Sequence, residues 1–205
     1  DNVEIYINSK GSSAISVNDK SIFIKEPLIL RTWYKINVKI SLSGKISISQ
    51  KNLKNKNKNE NDLINNGKIS LNKVLSGKVS LAAVVSKGIG HNHFNGKIES
   101  PIINADGKKI GDWDLSDNTS STFVDSIIGP KLLLKNFPTR AVTSSKWDSS
   151  EMNWQHKPDH YAAIHFHDDD IYDFEWDTDF KFKIPNNMPS GIYIMRIKGE
   201  GNEDS

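Results

Sequence analysis

Four of the six histidines, His156, His160, His165 and His167, crowd into one short stretch beside Asp159, Asp168, Asp169, Asp170, Asp173, Glu175, Asp177 and Asp179. Imidazole nitrogen and carboxylate oxygen together are the donor set of a hard-cation or iron-type site. Carboxylates packed this closely oppose one another's ionisation, so cations, hydrogen bonds or a metal must offset the crowding. The same residues also suit a polar corner whose aspartates cap turns and stay solvated. No zinc or EF-hand spacing fits, which weighs for the corner. The candidate binding residues are His165, His167, Asp168, Asp169 and Asp170, and calcium is the metal that Asp168, Asp169 and Asp170 would suit.

Were Tyr161–Phe166 a strand, His165 would share a face with Tyr161 and Ala163, and Ile164 and Phe166 would point the other way. The aspartates would then open the following loop, accepting backbone N–H groups or meeting cations elsewhere in the chain. Other chemistries find little support. There is no G-x-S-x-G nucleophile turn. Glu99 has no neighbouring acid with which to form a glycosidase pair, and Gly88-Ile-Gly90 lacks the third glycine of a phosphate loop. His91 and His93 alternate and can share a face, but as metal ligands they would need two more partners.

The elements that must position these residues read as strands. Val3, Ile5 and Ile7 alternate with polar neighbours, as do Tyr34, Ile36, Val38 and Ile40, and then Ile46 and Ile48. Period-two patterning of β-branched residues puts the apolar set on one sheet face, and glycines punctuate the runs. The pattern predicts an all-β sandwich over residues 1–144. Val3, Ile5, Tyr34, Ile36, Val38, Ile40, Val79, Leu81, Phe94 and Ile98 are its expected buried positions, and Trp33, Trp113 and Phe94 its expected core aromatics. The lysine- and asparagine-rich run Lys51–Asn66 has little to bury and reads as an exposed hairpin tip. Residues 145–205 read as a connector leading out of the sandwich, with strands expected at Asp179–Ile184 and Ser190–Lys198.

Two resemblances add to this. Leu30-Arg-Thr-Trp-Tyr-Lys-Ile-Asn-Val38, His93-Phe-Asn-Gly-Lys-Ile-Glu99 and Gly111-Asp-Trp-Asp-Leu115 with Val124-Asp125 resemble strands of the laminin-G and concanavalin A-like jelly rolls. A longer series resembles the large subunit of the N,N-dimethylformamidases. It runs Asn136-Phe-Pro-Thr-Arg-Ala-Val142, Lys146-Trp-Asp148, Trp154-Gln-His156, His160-Tyr161, Ile164-His165 and Asp169-Asp-Ile-Tyr-Asp173. Trp176, Asp179-Phe180, Pro185 and Ser190-Gly-Ile-Tyr193 continue it. That resemblance implies a lectin-like β-sandwich followed by an amidotransferase-like α/β domain, with a mononuclear iron held by tyrosines and a glutamate of the latter. No iron ligand maps onto the present residues, so this chain would be the non-catalytic sandwich. A stand-alone carbohydrate-binding lectin and an amide hydrolase using the histidine–aspartate cluster are the alternatives.

Bulk properties bound the partners. Residues 1–110 carry 18 basic against 8 acidic side chains, and residues 111–205 carry 9 against 17. That asymmetry favours attraction between the halves. The lysines are scattered with few aromatics between them, so nucleic acid is not an expected partner. No apolar run approaches membrane-spanning length, so no membrane is expected either. The chain has no cysteine and hence no disulfide framework, which by itself selects no compartment; the cytoplasm is favoured, with the location left open. Asp1 and the polar Gly199–Ser205 read as cut ends of a longer protein. Its expected partners are a C-terminal domain of the parent chain and a small subunit or further copies of itself.

Overall fold

The computed structural model describes residues 3–18, 20–54, 63–68, 77–167, 175–178, 181–195, 197–198 and 203–204. The chain divides into two compact units, Asp1–Asp169 and Asp170–Ser205. The described residues are all-β apart from one 3-10 turn, and every strand pairing is antiparallel. No helix among them is long and apolar enough to cross a membrane.

The first unit opens with two meanders. Strands β1 (Val3–Ile7), β2 (Ser13–Val17) and β3 (Lys20–Phe23) form one sheet, and β4 (Tyr34–Ile40), β5 (Lys45–Asn52) and β6 (Leu63–Lys68) form another. Ile15, Val17 and Ile24 meet Ile46 and Ile48 in a closed core, with Val3, Ile22, Val38 and Ile40 packed around it. A polar link crosses the same interface: Ser13 Oγ donates to Gln50 Oε1 at 2.5 Å, both side chains being buried.

Burial follows position in the sheet. The expected core residues Val3, Tyr34, Val38, Ile40, Leu81, Phe94 and Ile98 are only half-buried, and Ile5 (59%), Ile36 (36%) and Val79 (58%) are exposed. Strands β1 and β4 are edges with one neighbour each, so full burial passes to the central strands β2 and β5. Val79 lies in no strand.

The Lys51–Asn66 run is a hairpin, but its ends are sheet rather than tip. Lys51 and Asn52 finish β5, and Leu63, Ile64, Asn65 and Asn66 pair back onto it. Asn65 Nδ2 also donates to Phe23 O at 2.6 Å, tying β6 to β3. Residues 55–62 lie outside the described set, and their wholly polar composition supplies nothing to bury. Replacing residues 53–62 by an Asn-Gly turn is expected to leave the melting temperature within a few degrees. Extending the deletion through Asn66 should lower it clearly, and thermal melts of the two variants check both.

Further along, β7 (Val84–Ser86) and β8 (Ile89–His91) form a hairpin. Strand β9 (Gly96–Glu99) precedes a second hairpin, β10 (Ile102–Ala105) with β11 (Lys108–Asp112). The latter turns on Asp106 and Gly107, both at positive φ (49° and 73°), as a two-residue turn of the right twist requires. Strands β12 (Phe123–Val124) and β13 (Leu132–Leu133) pair with each other. Strands β14 (Thr139–Val142) and β15 (Ala163–Phe166) join the distant β9 in the order β14-β15-β9. A second core forms here from Trp113, Leu115, Val124 and Ile164, flanked by Ile103, Leu132, Leu134 and Phe166.

Arg140 staples this region. Its guanidinium donates to the carbonyls of Asp117, Ser120 and Phe123. Burial pulls its pKa down while the nearby Asp117 carboxylate acts against that. Three fixed acceptors suit a planar fork and not a single ammonium. Arg140→Lys is therefore expected to cost about 1–3 kcal/mol, read from denaturant midpoints. An unchanged midpoint would show that the staple is dispensable.

In the second unit β16 (Ile197–Lys198) pairs with β17 (Glu203–Asp204). Among the described residues the strand expected at Asp179–Ile184 is absent over 181–184, and of the one expected at Ser190–Lys198 only Ile197–Lys198 forms, with none over 190–195. Phe182, Ile184, Ile192 and Ile194 alternate correctly but stand exposed. Alternation offers a face; a strand also needs a neighbour.

Candidate functional site

The four clustered histidines go to three different places. Pro158 opens the 3-10 turn Pro158–Tyr161, where a ring-fixed φ costs nothing, so Tyr161 is not the strand residue expected of it and β15 starts at Ala163. The turn buries His160 to 4% exposure, its Nδ1 3.5 Å from Asp148 Oδ1. It also buries Tyr161, whose hydroxyl donates to Glu151 O at 2.7 Å. His156 lies on the surface with Nδ1 3.3 Å from Glu151 Oε2.

His165 and His167 stay together. Ile164, between Ala163 and His165, enters the second core, as the alternation requires. That turns His165 to the opposite face of β14-β15-β9, level with Thr139 on β14 and Lys97 on β9. The His165 and His167 rings lie 4.9 Å apart, and His167 Nε2 is 3.0 Å from Thr139 Oγ1. The proposed calcium residues Asp168, Asp169 and Asp170 lie outside the described residues. Among the described residues no three histidines or carboxylates come close enough to hold a metal.

Sequence reasoning missed a cleft of about 110 Å³ further along this sheet, lined by Glu99, Ser100, Asp114, Ser116, Ser144, Lys146, Asp159 and Ala162. Its acids are already engaged. Glu99 Oε2 accepts the Ser145 N–H at 2.8 Å, Asp114 Oδ1 accepts the Ser116 N–H at 2.9 Å, and Asp159 Oδ2 lies 3.8 Å from Lys146 Nζ. Ser144 Oγ donates to Asp159 O at 2.7 Å and fixes the 3-10 turn against the loop after β14. The lining comes from four separate segments, so only the local Asp-x-Ser turn at Asp114 left a trace in the sequence.

Electrostatics around the turn favour ionised acids. Hydrogen bonds from Ser150 hold Asp148 below the usual carboxylate range, the Asn153 N–H does so for Glu151, and Thr119 does so for Asp117. A depressed folded pKa contributes stability above the unfolded value that is lost as pH falls through the folded one. Asp117 and Asp148 are exposed and Glu151 is only half-buried, so the effect is modest. The melting temperature is expected to decline below about pH 4, and to decline less in Asp148→Asn when the two are melted side by side.

An all-β region with a stitched three-stranded sheet and a polar face on it is the class that the fold defines. Comparison with known proteins narrows it. The model of the family described as "N,N-dimethylformamidase beta subunit-like, C-terminal" matches residues 139–205. The N,N-dimethylformamidase beta subunit of Alcaligenes sp is 24% identical over 241 residues, covering 98% of this chain and 31% of that protein. The subunit of the same name from Paracoccus aminophilus is 25% identical over 241 residues, covering 95% and 32%. The chain is similar to these beta subunits along nearly its whole length, and it spans about a third of the length of these curated relatives.

Proposed function

We propose that the chain is the non-catalytic, lectin-like sandwich portion of a dimethylformamidase-like large subunit, supporting assembly or substrate access while the amide chemistry is done elsewhere. The observation that carries this is coverage: nearly all of the chain aligns with under a third of a much longer subunit. In this reading residues 1–144 are a concanavalin A-like jelly roll and residues 145–205 lead towards a further domain of the parent chain, the site of any iron. A small subunit or a second copy completes the assembly. The two packed meanders and the closed core between them support a sandwich.

The test compares the 205-residue chain with the full-length parent, each loaded with iron and assayed for formamide hydrolysis and bound metal. The chain alone is expected to hydrolyse no formamide and to hold no stoichiometric iron, and the parent to do both. One tightly held iron in the isolated chain, lost together with amidase activity in His165→Ala, would overturn the reading.

A further inference from the structure

The second unit presents apolar side chains to solvent in a strand-like pattern. Phe182 and Ile184 alternate with Lys181 and Lys183, and Ile192 and Ile194 alternate with Tyr193 and Met195. The six apolar members of this series are between 54% and 99% exposed. We propose that Phe182, Ile184, Ile192 and Ile194 form the docking face for the rest of the parent chain, which seats residues 181–184 and 190–195 as strands against an apolar sheet. The proposal rests on the reading of this chain as one portion of a longer subunit.

The pattern calls for cover from outside the unit. A period of two places side chains on alternate faces, and it stabilises a strand only beside a neighbour. Among the described residues neither 181–184 nor 190–195 lies in a strand. The unit Asp170–Ser205 is also shorter than the roughly 40 residues below which a fold needs disulfides, metals or a partner chain, and the chain has no cysteine. Contiguous apolar exposure of this kind marks an interaction surface.

Length identifies the occupant. The two curated relatives align with nearly all of this chain, yet more than two-thirds of each lies outside the alignment. The family match over residues 139–205 runs through both stretches, so they belong to the portion shared with those longer subunits. Chain tethered to the face docks at high effective concentration, whereas a second copy must also offset lost translational freedom. The two stretches suit different places in one sheet. Lys181 and Lys183 leave one side of the first for water, as at a rim, and the second is apolar on both sides, as in a covered centre.

The test follows amide hydrogen exchange across residues 181–195 in the 205-residue chain and in the full-length parent. Exchange there is expected to be at least about 100-fold slower in the parent. Equal exchange in the two proteins would overturn the proposal. Protection in the chain alone that rises with its concentration would assign the face to a second copy, and would overturn it too. Ile192→Asp should leave the melting temperature of the 205-residue chain within a few degrees, since that side chain is 99% exposed, and should abolish protection in the parent. Ile194→Val should keep the protection, as should Leu30→Asp, at a position 90% exposed in the first unit. A clearly lowered melting temperature in the chain, or protection that survives Ile192→Asp, would count against the face. The two unmutated proteins can be compared even where Ile192→Asp stops the parent from folding. Iron content and formamide hydrolysis of the same samples report on the accessory role separately. An active, iron-holding 205-residue chain sinks that role and leaves the exchange comparison standing, whereas equal exchange beside an active parent sinks only the docking face.

Discussion

Replacing Trp113 with alanine should cost about 3–5 kcal/mol, the largest single loss expected in the chain. The indole is 3% exposed and packs with Leu115, Val124 and Ile164. Its Nε1–H donates to Pro130 O at 2.8 Å, so truncation empties a large volume and leaves a carbonyl without its donor. The ring also lies over Gly111, where a Cβ would overlap it. Gly111→Ala should therefore destabilise the same core by forcing the indole aside. Denaturant midpoints of the two variants check this. A Trp113→Ala protein within about 1 kcal/mol of the parent would mean that this core is not cooperative with the rest of the unit.

The second large effect belongs to the other core. Ile48 is fully buried on the central strand β5, between Val38 on β4 and Asn65 on β6. Ile48→Ala is expected to cost about 2–5 kcal/mol, because neighbours on both sides restrain collapse into the cavity. Ile36→Ala, on edge strand β4 and already exposed, should cost under about 1 kcal/mol. Equal losses at the two positions would refute the edge-and-centre account of burial.

That account also explains what the sequence could and could not reveal. Alternation correctly placed Ile46 and Ile48, and it marked β1 and β4 as strands, because facing is a local property of the chain. It ranked burial poorly, since Ile5 and Ile15 are cross-strand partners of similar pattern and only the central one is covered. Trp113 and Trp33 both read as core from residue type alone, since a large indole is usually packed away. Trp113, between Asp112 and Asp114, is buried, whereas Trp33, between Thr32 and Tyr34, is half-buried. The histidine cluster looked like one site because its members are close in sequence. A proline-initiated turn sends His160 inward, and the switch to period two at Ala163 turns His165 to the polar face. The row with Lys97 and Thr139 depends on pairings across dozens of residues, and no local pattern records those.

The sheet β14-β15-β9 has a further consequence for the order in which the protein is made. Both meanders can close as soon as their last strand leaves the ribosome, since each strand pairs with its sequence neighbour. Strand β9 cannot: its partner Ala163–Phe166 lies some sixty residues downstream. At roughly 5–20 residues per second, β9 waits about 3–12 seconds with both edges open. An open strand edge is a template for pairing with another chain, and short length and charge are the usual protections. Strand β9 has both, being four residues long with Lys97 and Glu99 among them. On the growing chain, the residues that later define the polar face first serve to keep nascent copies apart.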